Sequence, residues 1–156
     1  MTPTIYSPAK RLDAALTLLR TLAGAIFIAH GAQKLFVYGF AGVSGAFGQM
    51  GVPFPGILGP SIALLEFFGG IALVFGLVTR LVSLGLASTM VGAILFVHLK
   101  AGFFNPNGFE FPLALLGMTL ALALTGAGAY SVDAVIAGRR SRRSSEPMVQ
   151  FQRKAA

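Results

Sequence analysis

The sequence predicts an all-α membrane protein, a bundle of four transmembrane helices, and three observations carry that prediction. Hydrophobic residues make up 55% of the 156-residue chain and charged residues only 11%. A soluble domain carries about 25% charged residues, so this composition lacks the material for a water-facing shell. The apolar residues are gathered into long runs, of the length needed to cross a hydrocarbon core about 30 Å thick. Between the runs lie segments rich in glycine, proline and phenylalanine, which break helices and suit a membrane interface.

The length leaves room for one domain. Residues 1–137 are expected to form the membrane domain and 138–156 a basic, disordered cytoplasmic tail. The first span is expected over about 12–36. A signal peptide is the rival reading of this run, but Arg20 lies inside it, no clean cleavage site follows, and more membrane comes directly after. Residues 37–60 are expected to form a loop on or in the membrane surface, with a short helix near Val43–Met50. The second span is placed over about 60–78, with Pro60 in the first turn where proline is tolerated. A tight turn at Thr79-Arg80 leads to the third span, about 81–99. An aromatic and glycine loop containing Asn105-Pro106-Asn107 precedes the fourth span, about 109–124. Tyr130–Ala137 is expected as a short amphipathic helix.

Four spans place both termini on one side, and the distribution of Lys and Arg decides which. Lys10, Arg11, Arg80 and the arginines of the tail share one side, against Lys34 and Lys100 on the other. Both termini are therefore expected to be cytoplasmic, in a multi-pass protein of the cell membrane. Gly69, Gly70, Gly76, Gly85, Gly92 and Gly117 are small residues that permit close helix contact. The net charge of +7 does not point to nucleic acid. Half of the 12 Lys and Arg residues lie after position 138, next to a membrane segment, where they hold orientation and meet anionic lipid headgroups. The absence of cysteine excludes disulfides, iron–sulfur clusters and covalently attached haem.

The chemistry-bearing residues converge at one depth. His30, Gln33 and Lys34 are three or four apart and share a helix face. Threading the spans brings Glu66, His98, Lys100 and Glu110 to the same outer half of the membrane. Ionisable groups at that depth are candidates for function. Each also has a structural reading: Lys34 can snorkel to headgroups, His98 can be an interfacial histidine, and Lys100 and Glu110 can be solvated at span ends. Glu66 must be neutral or paired. Two answers remain open for it, a structural pair with Arg20 or a pair with His30 or Lys34. Two histidines with two carboxylates suit a metal in ligand type, but without metal-binding spacing. The two histidines sit at unequal depth for haem. A quinone headgroup between His30, Glu66 and aromatic neighbours asks least of these residues.

The residues His30-Gly31-Ala32-Gln33-Lys34-Leu35-Phe36, Glu66-Phe67-Phe68-Gly69-Gly70, Gly76-Leu77-Val78-Thr79-Arg80 and Phe103–Phe111 occur in order at characteristic separations. On these motifs the chain resembles the DoxX family of small four-helix membrane proteins, across roughly Leu12 to Ile136. The resemblance implies four membrane helices in the cytoplasmic membrane. It also implies a tie to quinone-coupled oxidation of sulfur compounds, or to membrane redox complexes with soluble partners. The expected function is thus a subunit or accessory of a quinone-linked redox system. His30 and Glu66 would handle protons, Gln33 and Lys34 would orient an oxygen of the ligand, and His98, Asn105 and Glu110 would form the rim. Two other classes compete: a non-enzymatic membrane scaffold for partner proteins or further copies of itself, and a small-solute transporter. The last is opposed by an inner half that offers little beyond Arg20, Ser83, Ser88 and Thr89.

Overall fold

A computed structural model of the chain describes residues 7–139. All regular structure among them is helical. Helix α1 runs from Pro8 to Ala32, with the Ser7 hydroxyl accepting the Lys10 N–H at 3.4 Å and Pro8 in the first turn. It passes into π-helical turns over Gln33–Tyr38 and then into α2, Gly39–Gln49. Helix α3 spans Pro55–Phe75 and α4 Thr79–Gly92. A second π-helical stretch, Ala93–His98, and a 3₁₀ turn, Leu99–Ala101, extend α4. Helix α5 is Glu110–Thr125, and α6 covers 132–139.

Three helical stretches are long and apolar enough to cross a membrane: Pro8–Gln49, Pro55–Phe75 and Thr79–Ala101. Helix α5 is equally apolar but shorter, at 16 residues. The chain is a multi-pass membrane protein. Large apolar side chains such as Leu18, Phe68, Leu81 and Leu124 face outward, as expected where lipid rather than water surrounds the bundle.

The core is a narrow column of Leu16, Ala23, Phe27, Leu73, Leu86, Met90, Leu115 and Leu122. Helices α1 and α3 run antiparallel, held by glycines. A Cβ on Gly24 would stand 2.7 Å from the Gly70 oxygen, and one on Gly70 would stand 2.7 Å from the Gly24 oxygen. A Cβ on Gly31 would fall onto the backbone of Phe67. The expected close-contact glycines thus divide. Gly70 makes the α1–α3 contact, Gly69 and Gly85 lie against aliphatic side chains, and Gly92 and Gly117 have open space beside them. Gly24 and Gly31 make the seam instead.

Several expected boundaries shift. Pro55, not Pro60, opens α3, and Pro60 lies inside it. The expected surface loop carries a longer helix, α2, packed against α3 where Gly59 lies against Val43 and Ser44. The turn between α3 and α4 is Gly76-Leu77-Val78, one residue before the expected Thr79. It begins with a left-handed Gly76 (φ 65°) whose N–H reaches Leu73 O at 3.0 Å, followed by Leu77 N–H to Ala72 O at 2.9 Å. The basic segment from residue 140 onward lies outside the described residues.

A polar clasp closes this end of the bundle. Asp133 accepts the Val78 N–H at 2.7 Å and the Thr79 N–H at 2.9 Å, capping α4 from a distant helix. Its own N–H donates to Gly76 O at 3.0 Å. The cap holds Val78 at φ 47°, a region a β-branched residue rarely occupies. Burial works against charge on Asp133, but the N–H groups of Thr79 and Val78, with Arg20 nearby, outweigh it and hold the carboxyl below its ordinary range. The buried Arg20 donates to the carbonyls of Leu73, Val74 and Tyr130. Asp13 accepts the Ala129 N–H at 2.8 Å. Both ends of the described chain therefore meet at the end of the bundle remote from His30.

Candidate functional site

The opposite end of the bundle gathers ionisable side chains around two chambers. Glu66 is carried by the middle of α3, and its side chain is 4% exposed. Lys34 sits on the π-helical extension of α1 and forms an ion pair with it. Of the partners open for Glu66 from sequence, the structure selects Lys34. Arg20 is removed from contention because the carbonyls of Leu73 and Val74 at the end of α3, and that of Tyr130, engage both of its terminal nitrogens. Carbonyls at a helix C-terminus carry partial negative charge, so a cation fits there without a carboxylate.

The larger chamber measures about 540 Å³ and lies between α2, α3 and α4. Lys34, Glu66, His98 and Tyr38 supply its ionisable groups. Most of the remaining wall is apolar: Val43 and Phe47 of α2 with Met50 just after it, Leu58, Ile62 and Leu65 of α3, and Ala93, Phe96 and Val97 beyond α4. Ser88 and Thr89 also line it, ten and nine residues before His98, so the chamber runs about 15 Å along α4 at ~1.5 Å per residue. Such a space suits a ligand with an apolar body and a polar end.

The smaller chamber, about 110 Å³, is lined by Phe27, His30, Glu66, Met90, Ala93, His98, Phe111, Pro112 and Leu115. Glu66, Ala93 and His98 border both chambers. The His30 ring lies 5.9 Å from that of Phe111, tilted by 40°. His98 Nδ1 is 2.8 Å from Asn107 O. A carbonyl oxygen only accepts, so Nδ1 donates this bond and fixes the ring.

The remaining expected residues stand apart. Gln33 is exposed and lines neither chamber. Glu110 Oε1 accepts the Asn105 N–H at 2.8 Å, so these two organise the 102–109 loop rather than a chamber wall. Among the described residues no group of three His, Cys, Asp or Glu is placed to hold a metal ion. Val43 and Phe47 of α2, and Met50 just after it, were not singled out by the sequence, because an apolar side chain on a short surface helix carries no sign of the chamber it lines. Tyr38 and Phe96 carried no signal beyond being aromatic.

Comparison with known proteins places this geometry in a lineage. The DoxX family model matches residues 15–99, more than half of the chain. The chain belongs to the DoxX family. A second model, described as TQO small subunit DoxD, matches residues 61–153. This DoxX-family chain is 37% identical over 124 residues to the Bacillus subtilis protein named "Putative oxidoreductase CatD", covering 80% of the chain and 88% of that protein. It is 38% identical over 125 residues to inner membrane protein YqjF of Escherichia coli, covering 80% and 93%. An uncharacterized membrane protein of Mycobacterium tuberculosis is 30% identical over 126 residues, covering 74% and 77%. No solved structure matches the chain. A DoxX-family membrane protein with "Putative oxidoreductase CatD" among its relatives thus carries a long chamber with an ion pair and a histidine in its wall.

Proposed function

We propose that this protein is a subunit or accessory of a quinone-linked membrane redox system. The larger chamber is its quinone site. The observation that carries the reading is an apolar chamber of about 540 Å³ walled by Lys34, Glu66 and His98. A quinone has this division, a ring with carbonyl oxygens and an apolar substituent. Lys34 is the donor to a ring oxygen, and Glu66 and His98 exchange protons with the ligand as its charge changes. His30 serves Glu66 from the smaller chamber. Gln33, Asn105 and Glu110 form the outer rim, where a partner redox protein docks. The names of the DoxD model and of the CatD relative support a redox setting.

The same reading makes α5 the fourth span, since it returns the chain from the loop at His98 to the clasp at Asp13. Both termini are then cytoplasmic, by the charge of Lys10, Arg11, Arg80 and Arg139 on that side. The chambers open toward the outer face of the cell membrane.

Decylubiquinone titrated into the purified protein tests the site. Binding raises the melting temperature. Gly92→Leu abolishes that rise, because Gly92 lines the larger chamber and has nothing within 4 Å of its Cβ position, so leucine grows into the ligand space. An unchanged melting temperature across the titration, with no quinone copurifying, removes the proposal.

A further inference from the structure

We infer that the smaller chamber is a proton port, through which His30 connects the Glu66 carboxyl to the water boundary while the larger chamber holds the ligand. The inference rests on the proposed function for the ligand, but not for the proton path.

The division of the walls is the starting point. Glu66 and His98 border both chambers, whereas Lys34 borders only the larger and His30 only the smaller. Glu66 thus meets its charge partner on one side and a proton acceptor on the other. A carboxyl this buried, at membrane depth, can change charge only if a proton has a route to water. On the side of the larger chamber the carboxylate meets the Lys34 ammonium, which has no lone pair to take a proton, and a wall that is mostly apolar. The smaller one has the volume of about three to four water molecules at ~30 Å³ each.

His30 stands where that route must end. It is exposed, and it lies against Phe111, which directly follows Glu110 at the end of the 102–109 loop. Backbone outside helices does not face lipid hydrocarbon, so this loop marks the water boundary. His98 is fixed through Nδ1 by Asn107 O, so its ring is held in place at the border of both chambers. Helix α5 contributes Phe111, Pro112 and Leu115 to the smaller chamber, none of them ionisable. The titratable groups that share a chamber with Glu66 are therefore Lys34, Tyr38 and His98 in the larger one and His30 and His98 in the smaller.

The proton balance is simple. The Glu66 carboxyl gives its proton through water in the chamber to the unprotonated nitrogen of His30, which releases a proton from its other nitrogen outward. His30 ends neutral, and Glu66 ends as the carboxylate that Lys34 pairs. Uptake runs in reverse.

The test uses the full chain in lipid nanodiscs without quinone. A pH jump is followed by time-resolved infrared spectroscopy of the carboxyl C=O band, assigned by its loss in Glu66→Gln. His30→Gln is expected to slow protonation of that band at least tenfold. Leu115→Phe, which narrows the smaller chamber and leaves His30 in place, is expected to do the same. Melting curves establish that each variant is folded, with His30→Asn and Met90→Phe replacing either one that is not. Protonation at the wild-type rate in either variant overturns the port, as does a carboxyl band that ignores the jump. Decylubiquinone binding is measured separately. Its failure with the wild-type chain, beside slowed bands in both variants, removes the quinone reading and leaves the port standing.

Discussion

Lys34 and Glu66 form an ion pair that joins the π-helical extension of α1 to the middle of α3. The carboxylate is nearly sealed and the ammonium is partly open, so the pair is held from one side by protein and from the other by the larger chamber. Both π-helical stretches carry a group of the chamber wall, Lys34 on one and His98 on the other. Widening a helix by one residue per turn reorients the side chains that follow, and such turns often mark functional sites.

Removing one partner of this pair strands the other. Lys34→Met leaves an unpaired carboxylate, at a cost near the low end of about 3–5 kcal/mol because Lys34 is partly exposed. Lys34→Met with Glu66→Leu replaces both charges by apolar groups and is expected to recover most of that loss. Thermal unfolding of the two single variants and the double variant in detergent measures the coupling. Additive losses would mean that the pair contributes nothing across the helices.

The α1–α3 seam gives a second expectation. A methyl group on Gly31 falls onto the Phe67 backbone, which cannot move without separating the helices. Gly31→Ala is expected to destabilise by at least the ~1–3 kcal/mol typical of overpacking. Gly117→Ala, with open space beside it, is expected to leave the unfolding midpoint unchanged or slightly higher, since alanine favours helix by up to about 1 kcal/mol. Equal effects at the two positions would refute the seam.

The contrast between these glycines also marks how far the sequence could be read. Hydropathy located the apolar helices because length and composition alone decide what crosses a membrane. It brought His30, Glu66 and His98 to the same end of the bundle because rise per residue is nearly fixed. It could not choose between Arg20 and Lys34 for Glu66, since both lie within reach along the axis. That choice depends on the α3 carbonyls that accept from Arg20, which only the fold supplies. Nor could it tell which glycine faces a helix and which faces lipid, because rotation about the helix axis is set by packing. Helix α2 was legible only in part, as a short helix near Val43–Met50, for a related reason. Gly42, Gly45 and Gly48 weaken intrinsic helix formation, and packing against α3 outweighs the loss.

Asp133 makes stability depend on acid. Its folded carboxyl ionises below the ordinary carboxylate value of about 3.9. A carboxylate favoured by folding stabilises fully above its unfolded value, and the contribution is lost as pH falls through that value and then the lower folded one. The unfolding midpoint is therefore expected to drop as pH falls below about 4. Asp133→Asn should be less stable than wild type near neutrality and should narrow its deficit in acid. Melting curves across that range check the sign, and a deficit independent of pH would exclude the charged cap.

Arg20 is expected to govern how firmly the C-terminal helix is clasped. One guanidinium spans the end of α3 and the Tyr130 carbonyl, which its fork of donors permits. Arg20→Met takes a donor from the Leu73, Val74 and Tyr130 carbonyls, of which Leu73 O keeps the Gly76 N–H, at about 1–3 kcal/mol for each left buried and unpaired. Arg20→Lys keeps the charge but concentrates it on one nitrogen, which reaches α3 or Tyr130 and not both. The expected order of melting temperature is wild type, then Arg20→Lys, then Arg20→Met. Tyr130 is exposed, so chymotrypsin cleavage after it reports release of the clasp. Cleavage should quicken in both variants. Lower melting temperatures with unchanged cleavage would mean that Asp133 alone holds the C-terminal helix, and that Arg20 acts only within the α1–α3 pair.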